Sequence, residues 1–98
     1  MKLVWTNEAL EQLIGIEDYI AKNNPERAAG FVDQLIERAE SLPGQPHSGR
    51  IVPEITNPGI RELIFKNYRI VYRLNEDCIE ILTVFEGHRL LRMGEIDL

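Results

Sequence analysis

The stretch Arg61-Glu62-Leu63-Ile64-Phe65-Lys66-Asn67-Tyr68-Arg69-Ile70-Val71-Tyr72-Arg73 most constrains what this chain can fold into. Two runs of β-branched and aromatic residues flank Lys66-Asn67, a short polar pair suited to a turn. The stretch therefore predicts a β-hairpin. Its second half alternates. Tyr68, Ile70, Tyr72 and Leu74 project to one side, and Arg69, Val71 and Arg73 to the other. One face is apolar and needs a cover. The opposite face carries two guanidinium groups, with Arg61 on the neighbouring strand.

The residues upstream supply the cover. Lys2-Leu3-Val4-Trp5 is a short strand candidate. Thr6 or Asn7 suits a helix N-cap, with Glu8 in the first turn where the helix dipole favours a carboxylate. Ala9, Leu10, Leu13, Ile16 and Ile20 then recur at helical spacing, with Ile14 beside the stripe. This helix should end near Lys22-Asn23-Asn24. Asn24-Pro25 opens a second helix, because asparagine caps well and proline fits the first helical position. Its apolar stripe is Ala28, Phe31, Val32, Leu35, Ile36, Ala39 and Leu42, and Pro43-Gly44 stops it. The short turn between the helices favours an antiparallel pair. Gly30, inside the second helix, costs about 1 kcal/mol against alanine, explained by a close helix crossing or by simple tolerance.

Downstream, residues 43–49 read as a loop and Ile51-Val52 as a short strand before Pro53. The hairpin follows, then a tight turn at Asn75-Glu76-Asp77. Cys78 to Phe85 forms the last strand. Strict alternation puts Ile79, Ile81, Thr83 and Phe85 on one face, and Leu82 and Val84 on the other with Glu80 and Glu86. Leu90, Leu91, Met93, Ile96 and Leu98 make the tail too apolar to stay free, so it either packs on the sheet or helices, the favoured reading, or offers an apolar surface to another chain. The order is β-α-α-β-β-β, one α+β domain over residues 1–98. The N-terminal strand and helical hairpin pack on one face of a small antiparallel sheet whose other face is partly open.

The net charge of −5 conceals an asymmetry. Residues 50–75 hold five basic and two acidic residues, and the segments on either side are both acidic. An acidic chain is a poor general nucleic-acid binder, because phosphate neutralisation dominates that affinity. No direct DNA binding is expected. The single cysteine, Cys78, cannot close an internal disulfide and reads as structural, which suits a reducing cytoplasm. No leading apolar run suggests a signal peptide, and none approaches the roughly 20 residues of a membrane span.

No metal or cofactor is expected. His47 and His88 are far apart, no acidic or cysteine spacing suggests a cluster, and the glycines do not form a phosphate loop. Arg69 and Arg73 project side by side. They either pair with Glu62 and Glu80 or cradle a phosphate or carboxylate, which arginine grips in bidentate fashion. Glu54 is either a base or a partner for a hairpin arginine, the pairing being favoured. His88 and Arg89 follow the last strand, where a histidine can move a proton near neutral pH. No catalytic residue is assigned outright. Arg69, Arg73, His88 and Glu54 are the candidates if the chain is a nuclease. Arg61, Arg69, Arg73, His88 and Arg89 are the candidates for binding a target or a partner protein.

In its motifs the chain resembles the small toxins of the RelE/ParE superfamily, from type II toxin–antitoxin pairs. The likeness runs through Val4-Trp5-Thr6, Ala9-Leu10-x-x-Leu13, Ala28 and Phe31. It continues in Leu42-Pro43 and in Gly49-Arg50-x-Val52-Pro53-Glu54. It is strongest in Arg61-Glu62-Leu63, Tyr68 to Arg73, and Ile81-Leu82-x-Val84 with His88-Arg89 behind. The resemblance implies the same two-helix, antiparallel-sheet fold and a poison neutralised by a cognate antitoxin. Such an antitoxin wraps its C-terminal segment around the toxin and holds the operator DNA. Two activities divide the superfamily: mRNA cleavage on the ribosome by RelE-like members, and inhibition of DNA gyrase by ParE-like members. Arg69 matches a strand arginine of some nuclease members, and His88 falls near their C-terminal histidine or tyrosine. The chain is acidic, has no lysine-rich second helix and has no tyrosine after its last strand, so it resembles ParE more than RelE. The resemblance thus implies a gyrase-binding toxin. The alternatives are a ribosome-dependent mRNA interferase and a degenerate toxin that survives as an antitoxin-binding co-repressor.

Overall fold

The two helices form where the caps and apolar spacing place them. The structure, a computed structural model, describes residues 1–87. Strand β1 (Lys2–Trp5) leads into α1 (Asn7–Ala21) and α2 (Pro25–Glu40). A single 3-10 turn at Leu42–Gly44 closes the helical segment. Four strands follow: β2 (Arg50–Ile51), β3 (Ile60–Phe65), β4 (Tyr68–Leu74) and β5 (Cys78–Glu86). Thr6 caps α1 by accepting from the Ala9 N–H at 3.1 Å, and Asn24 caps α2 by accepting from the Arg27 N–H at 3.1 Å. The apolar tail at residues 90–98 lies outside the described residues.

The α+β class and the helical cover are as the sequence predicts, but the sheet is mixed rather than antiparallel. Its order is β1-β5-β4-β3-β2. Strands β2 to β5 pair antiparallel, and β1 lies parallel to β5 with Lys2 beside Cys78 and Trp5 beside Ile81. A parallel pair cannot be joined by a tight turn, and here the connection runs through both helices and the three strands β2 to β4. The predicted hairpin is present, with Phe65 opposite Tyr68 and Glu62 opposite Val71. Its first turn residue, Lys66, has a φ of 53°.

Under the helices lies the main core: Ala9, Leu13, Phe31, Val32 and Leu35 against Leu63, Tyr68, Ile70, Tyr72, Ile79 and Ile81. The Phe31 ring meets Phe65 at 5.8 Å and Tyr68 edge-on at 5.4 Å. Leu10, which the spacing assigns to the buried stripe, is exposed together with Ile14. Gly30 is no crossing point, since a Cβ there meets nothing within 4 Å.

The last strand departs from strict alternation. Val71 pairs with Thr83, and the next residue, Tyr72, pairs with Ile81, so Leu82 is an extra residue in β5. This β-bulge changes the phase of the strand. Ile79, Ile81 and Val84 face the helices, whereas Leu82 and Phe85 face the opposite side. The expected grouping of Thr83 and Phe85 with Ile79 therefore fails, and the bulge is the reason. Side chains from α1 and its cap hold it. The Thr6 hydroxyl lies 2.9 Å from the Ile81 carbonyl and 3.1 Å from that of Leu82. The Gln12 side-chain carbonyl accepts from the Val84 N–H at 2.6 Å and the Thr83 hydroxyl at 2.7 Å.

The second sheet face is not open. Val52, Ile60, Val71, Leu82 and Phe85 form a smaller core there, with Ile55 packed against it. The segment after β2 is its lid. Tyr72 anchors the preceding loop by accepting from the Gly49 N–H at 3.0 Å and donating to the Pro46 carbonyl at 2.9 Å. Gly49 must be glycine, because a Cβ would stand 2.6 Å from the Glu62 backbone oxygen and 2.5 Å from the Tyr72 hydroxyl.

Two expectations follow from this packing. Gly49→Ala should lose about 1–3 kcal/mol in urea unfolding through overpacking, whereas Gly30→Ala should gain up to about 1 kcal/mol. Burial raises the hydroxyl pKa values of Tyr68 and Tyr72, helped at Tyr68 by the charge of Glu86 and opposed at Tyr72 by the Gly49 N–H and the charge of Arg61. The unfolded chain releases those protons first, so the contribution of these two hydroxyls to stability should be constant from neutral pH up to about 10 and be lost above it. Urea midpoints across that range, with Tyr72→Phe flattening part of the slope, check the second point.

Candidate functional site

The turn at Lys66-Asn67 and the bulge in β5 together decide where Arg69 lies. Alternation along β4 sends Arg69 to the face away from the helices. The bulge puts Phe85 on that same face, directly opposite in register. The Arg69 guanidinium sits 5.1 Å from the Phe85 ring centre, in cation–π range. Glu62 comes from β3 and Glu54 from the segment after β2, so four elements meet at one guanidinium.

Every nitrogen of that group has a carboxylate partner. The Arg69 Nε donates to Glu62 at 2.6 Å, and Nη1 and Nη2 donate to the two Glu54 oxygens at 2.7 and 2.8 Å. Glu62 accepts from the Arg50 Nε with its other oxygen, also at 2.6 Å. Arg69 and Glu62 are 5% and 0% exposed at the side chain, and Glu54 is 19% exposed. Two arginines and two glutamates thus balance across the sheet. The bidentate bond to Glu54, then the bond and charge of Glu62, push the Arg69 pKa above its ordinary value against the opposing effect of burial. The group stays charged at any pH the protein survives.

The remaining candidates are separated from this network. Arg73 pairs with Glu80 at 3.6 Å, the partner that the sequence suggests. Arg61 stands on the opposite side of β3 from Glu62 and donates from Nη1 to the Gly49 carbonyl at 3.0 Å. Its Nε is buried without a hydrogen-bond partner among the described residues. The structure therefore brings Glu54 and Arg69 together but divides Arg61 from them. His88 and Arg89 lie outside the described residues. No group of three metal-ligating side chains occurs among the described residues, and none of the described helices is long and apolar enough to cross a membrane.

Sequence reasoning identified the pairing of Glu54 with a hairpin arginine and named Glu62 as an arginine partner. It missed Arg50 and Phe85 as members of the network. Arg50 opposes Glu62 directly in the β2–β3 register, a signal available only once the two-residue strand is recognised. Phe85 depends on the bulge and has no sequence signal of its own.

Comparison with known proteins adds to this geometry. Residues 3–91 match the family described as the ParE toxin of the type II toxin-antitoxin system parDE. A candidate toxin of Sinorhizobium fredii, Y4kP, is 36% identical over 94 residues, covering 90% of each chain. Toxin RelE2 of Caulobacter vibrioides is 31% identical over 90 residues, covering 91% of this chain and 98% of its own. Among solved structures, a chain of the chromosomal ParDE TA system from P. aeruginosa superposes with a TM-score of 0.76 at 27% identity. That match covers 88% of this chain and 95% of that one.

The network predicts unequal losses along one strand face. Arg69→Ala leaves Glu62 buried without its principal partner and should lose about 3–5 kcal/mol. Arg73→Ala removes a part-exposed pair and should lose less than about 1 kcal/mol. Chemical denaturation of the two variants beside the parent chain measures the difference.

Proposed function

The chain belongs to the ParE toxin family of type II toxin–antitoxin systems, and on that premise we propose that it poisons DNA gyrase by binding and is neutralised by a cognate antitoxin in the cytoplasm. The observation that carries this reading is the closure of the Arg69 network. A phosphoryl-transfer nuclease needs a cation that can meet the developing charge on phosphorus. Arg69, the strand arginine such a nuclease would use, already gives all its nitrogens to Glu54 and Glu62. Freeing it means leaving buried carboxylates without their partner, which costs several kcal/mol. Glu54 is held in the same bidentate pair and is a poor base while it remains there. The chain's acidity further supports a protein target over ribosomal RNA.

In this reading the network is a frame. It fixes the segment after β2 against the sheet and gives the partner-facing surface its shape. Arg73, beside the frame, and Arg61, on the other side of β3, are the described arginines we assign to contacts with target or antitoxin, together with His88 and Arg89 of the C-terminal segment.

Induction of the chain alone separates the activities. The expected result is loss of gyrase supercoiling by the purified chain, relief of that loss by the antitoxin, and intact transcripts in the induced cell. Codon-positioned cuts in translated mRNA with supercoiling untouched would replace this reading with the interferase. Continued growth without either effect would leave only the co-repressor role.

A further inference from the structure

A groove of about 470 Å³ runs between α1 and the end of β5. Gly15, Ile16 and Tyr19 line one wall, Tyr68 and Val84 the other, and Glu86 stands where β5 ends. The wall on α1 is accessible. A Cβ at Gly15 meets nothing within 4 Å among the described residues, and Tyr19 is 67% exposed. A ring at the rim and a bare backbone in the floor leave room for a chain to approach the helix closely.

The last described residue, Gly87, lies one step beyond Glu86. Residues 88–98 therefore start at the rim of this groove. They include Leu90, Leu91, Met93, Ile96 and Leu98, apolar side chains that a segment left in solvent would expose. Two turns of α1 separate Gln12, which also lines the groove, from Tyr19. That is about 10 Å, a distance that three or four extended residues span. A segment tethered at the rim also has an effective concentration on the order of millimolar, ahead of any free competitor of equal affinity.

Charge selects the same occupant. Helix α1 carries Glu8, Glu11, Glu17 and Asp18 and neither lysine nor arginine. Glu8 and Glu11 lie one turn before Gln12 and Gly15, and Asp18 three residues after Gly15, so carboxylates border the groove. They repel an acidic segment of another protein and a second copy of α1 alike. Residues 88–98 instead present Arg89 and Arg92 ahead of their own Glu95 and Asp97.

We propose that residues 88–98 dock in the α1–β5 groove of their own chain, with the leucines against Ile16, Tyr19 and Tyr68 and with Arg92 toward the carboxylates of α1. The docked segment closes the helical layer at the point where β5 leaves the sheet. This inference concerns the free chain and does not depend on gyrase being the target.

The test uses the full chain with a nitroxide attached at Gly94→Cys in a Cys78→Ser background. Amide signals of residues 12–19 and 84–86 should broaden, and those of residues 57–60, at the far end of the sheet, should not. The double variant Leu90→Ser and Leu91→Ser should reduce the broadening at least about threefold and speed tryptic cleavage after Arg92 at least about tenfold, because two apolar anchors are lost and the open form is the one cleaved. Gly15→Gln should have the same two effects while keeping α1 helical, since glutamine is the better helix former but its side chain stands in the groove. A mixture of nitroxide-bearing chain with isotope-labelled chain lacking the nitroxide should show no broadening. Broadening in that mixture would assign the groove to a second copy and overturn docking within the chain. Broadening on another face, none at all in the free chain, or broadening that both variants leave intact would overturn it too.

Discussion

One buried guanidinium holds the second face of the sheet together. Arg69 ties β4 to β3 through Glu62 and ties the lid segment to both through Glu54, while Phe85 of β5 supports it from below. A charge so deeply placed is tolerated only because each donor has an ionised acceptor at hydrogen-bond distance. Remove any partner and the remaining charges are buried without compensation. An ion network of this kind adds less net stability than its short distances suggest, since desolvation offsets the attraction. Its contribution is geometric. It permits one register of β3 on β4 and one seat for the lid.

The bulge in β5 makes that arrangement possible. Without the extra residue at Leu82, Phe85 would point toward the helices and Val84 toward Arg69. With it, the sheet carries two cores of unequal size from one set of strands. The contacts that stabilise the bulge come from the other end of the chain, from Thr6 and Gln12. The helical layer thus acts on the far face of the sheet without touching it.

These features separate two uses of arginine on a small acidic domain. Arg69 is spent inside the molecule, and its charge is cancelled there. Arg50 is half spent, with one nitrogen in the network and the rest of the group in solvent. Arg27 and Lys66 lie at the surface beside an aromatic floor. The central arginine is thereby structure, whereas the outer charges remain at the surface.

The sequence by itself determined the two helices, their caps, the hairpin and its turn, because each is a local pattern of period, cap and punctuation. It also limited the partners of the hairpin arginines to a few glutamates, because an acidic chain with one basic segment must pair that segment with something. It could not determine that β1 joins β5 in parallel, that Leu82 bulges, or that Phe85 lies under Arg69. Those depend on contacts between residues more than 70 positions apart, such as Thr6 with Ile81 and Gln12 with Val84. Nor could alternation alone tell a solvated arginine from a buried one, since period two assigns a face but not what covers it. Tertiary structure decided that question by folding the segment after β2 over the sheet, because only a covered face is dry enough to hold an arginine in a closed network.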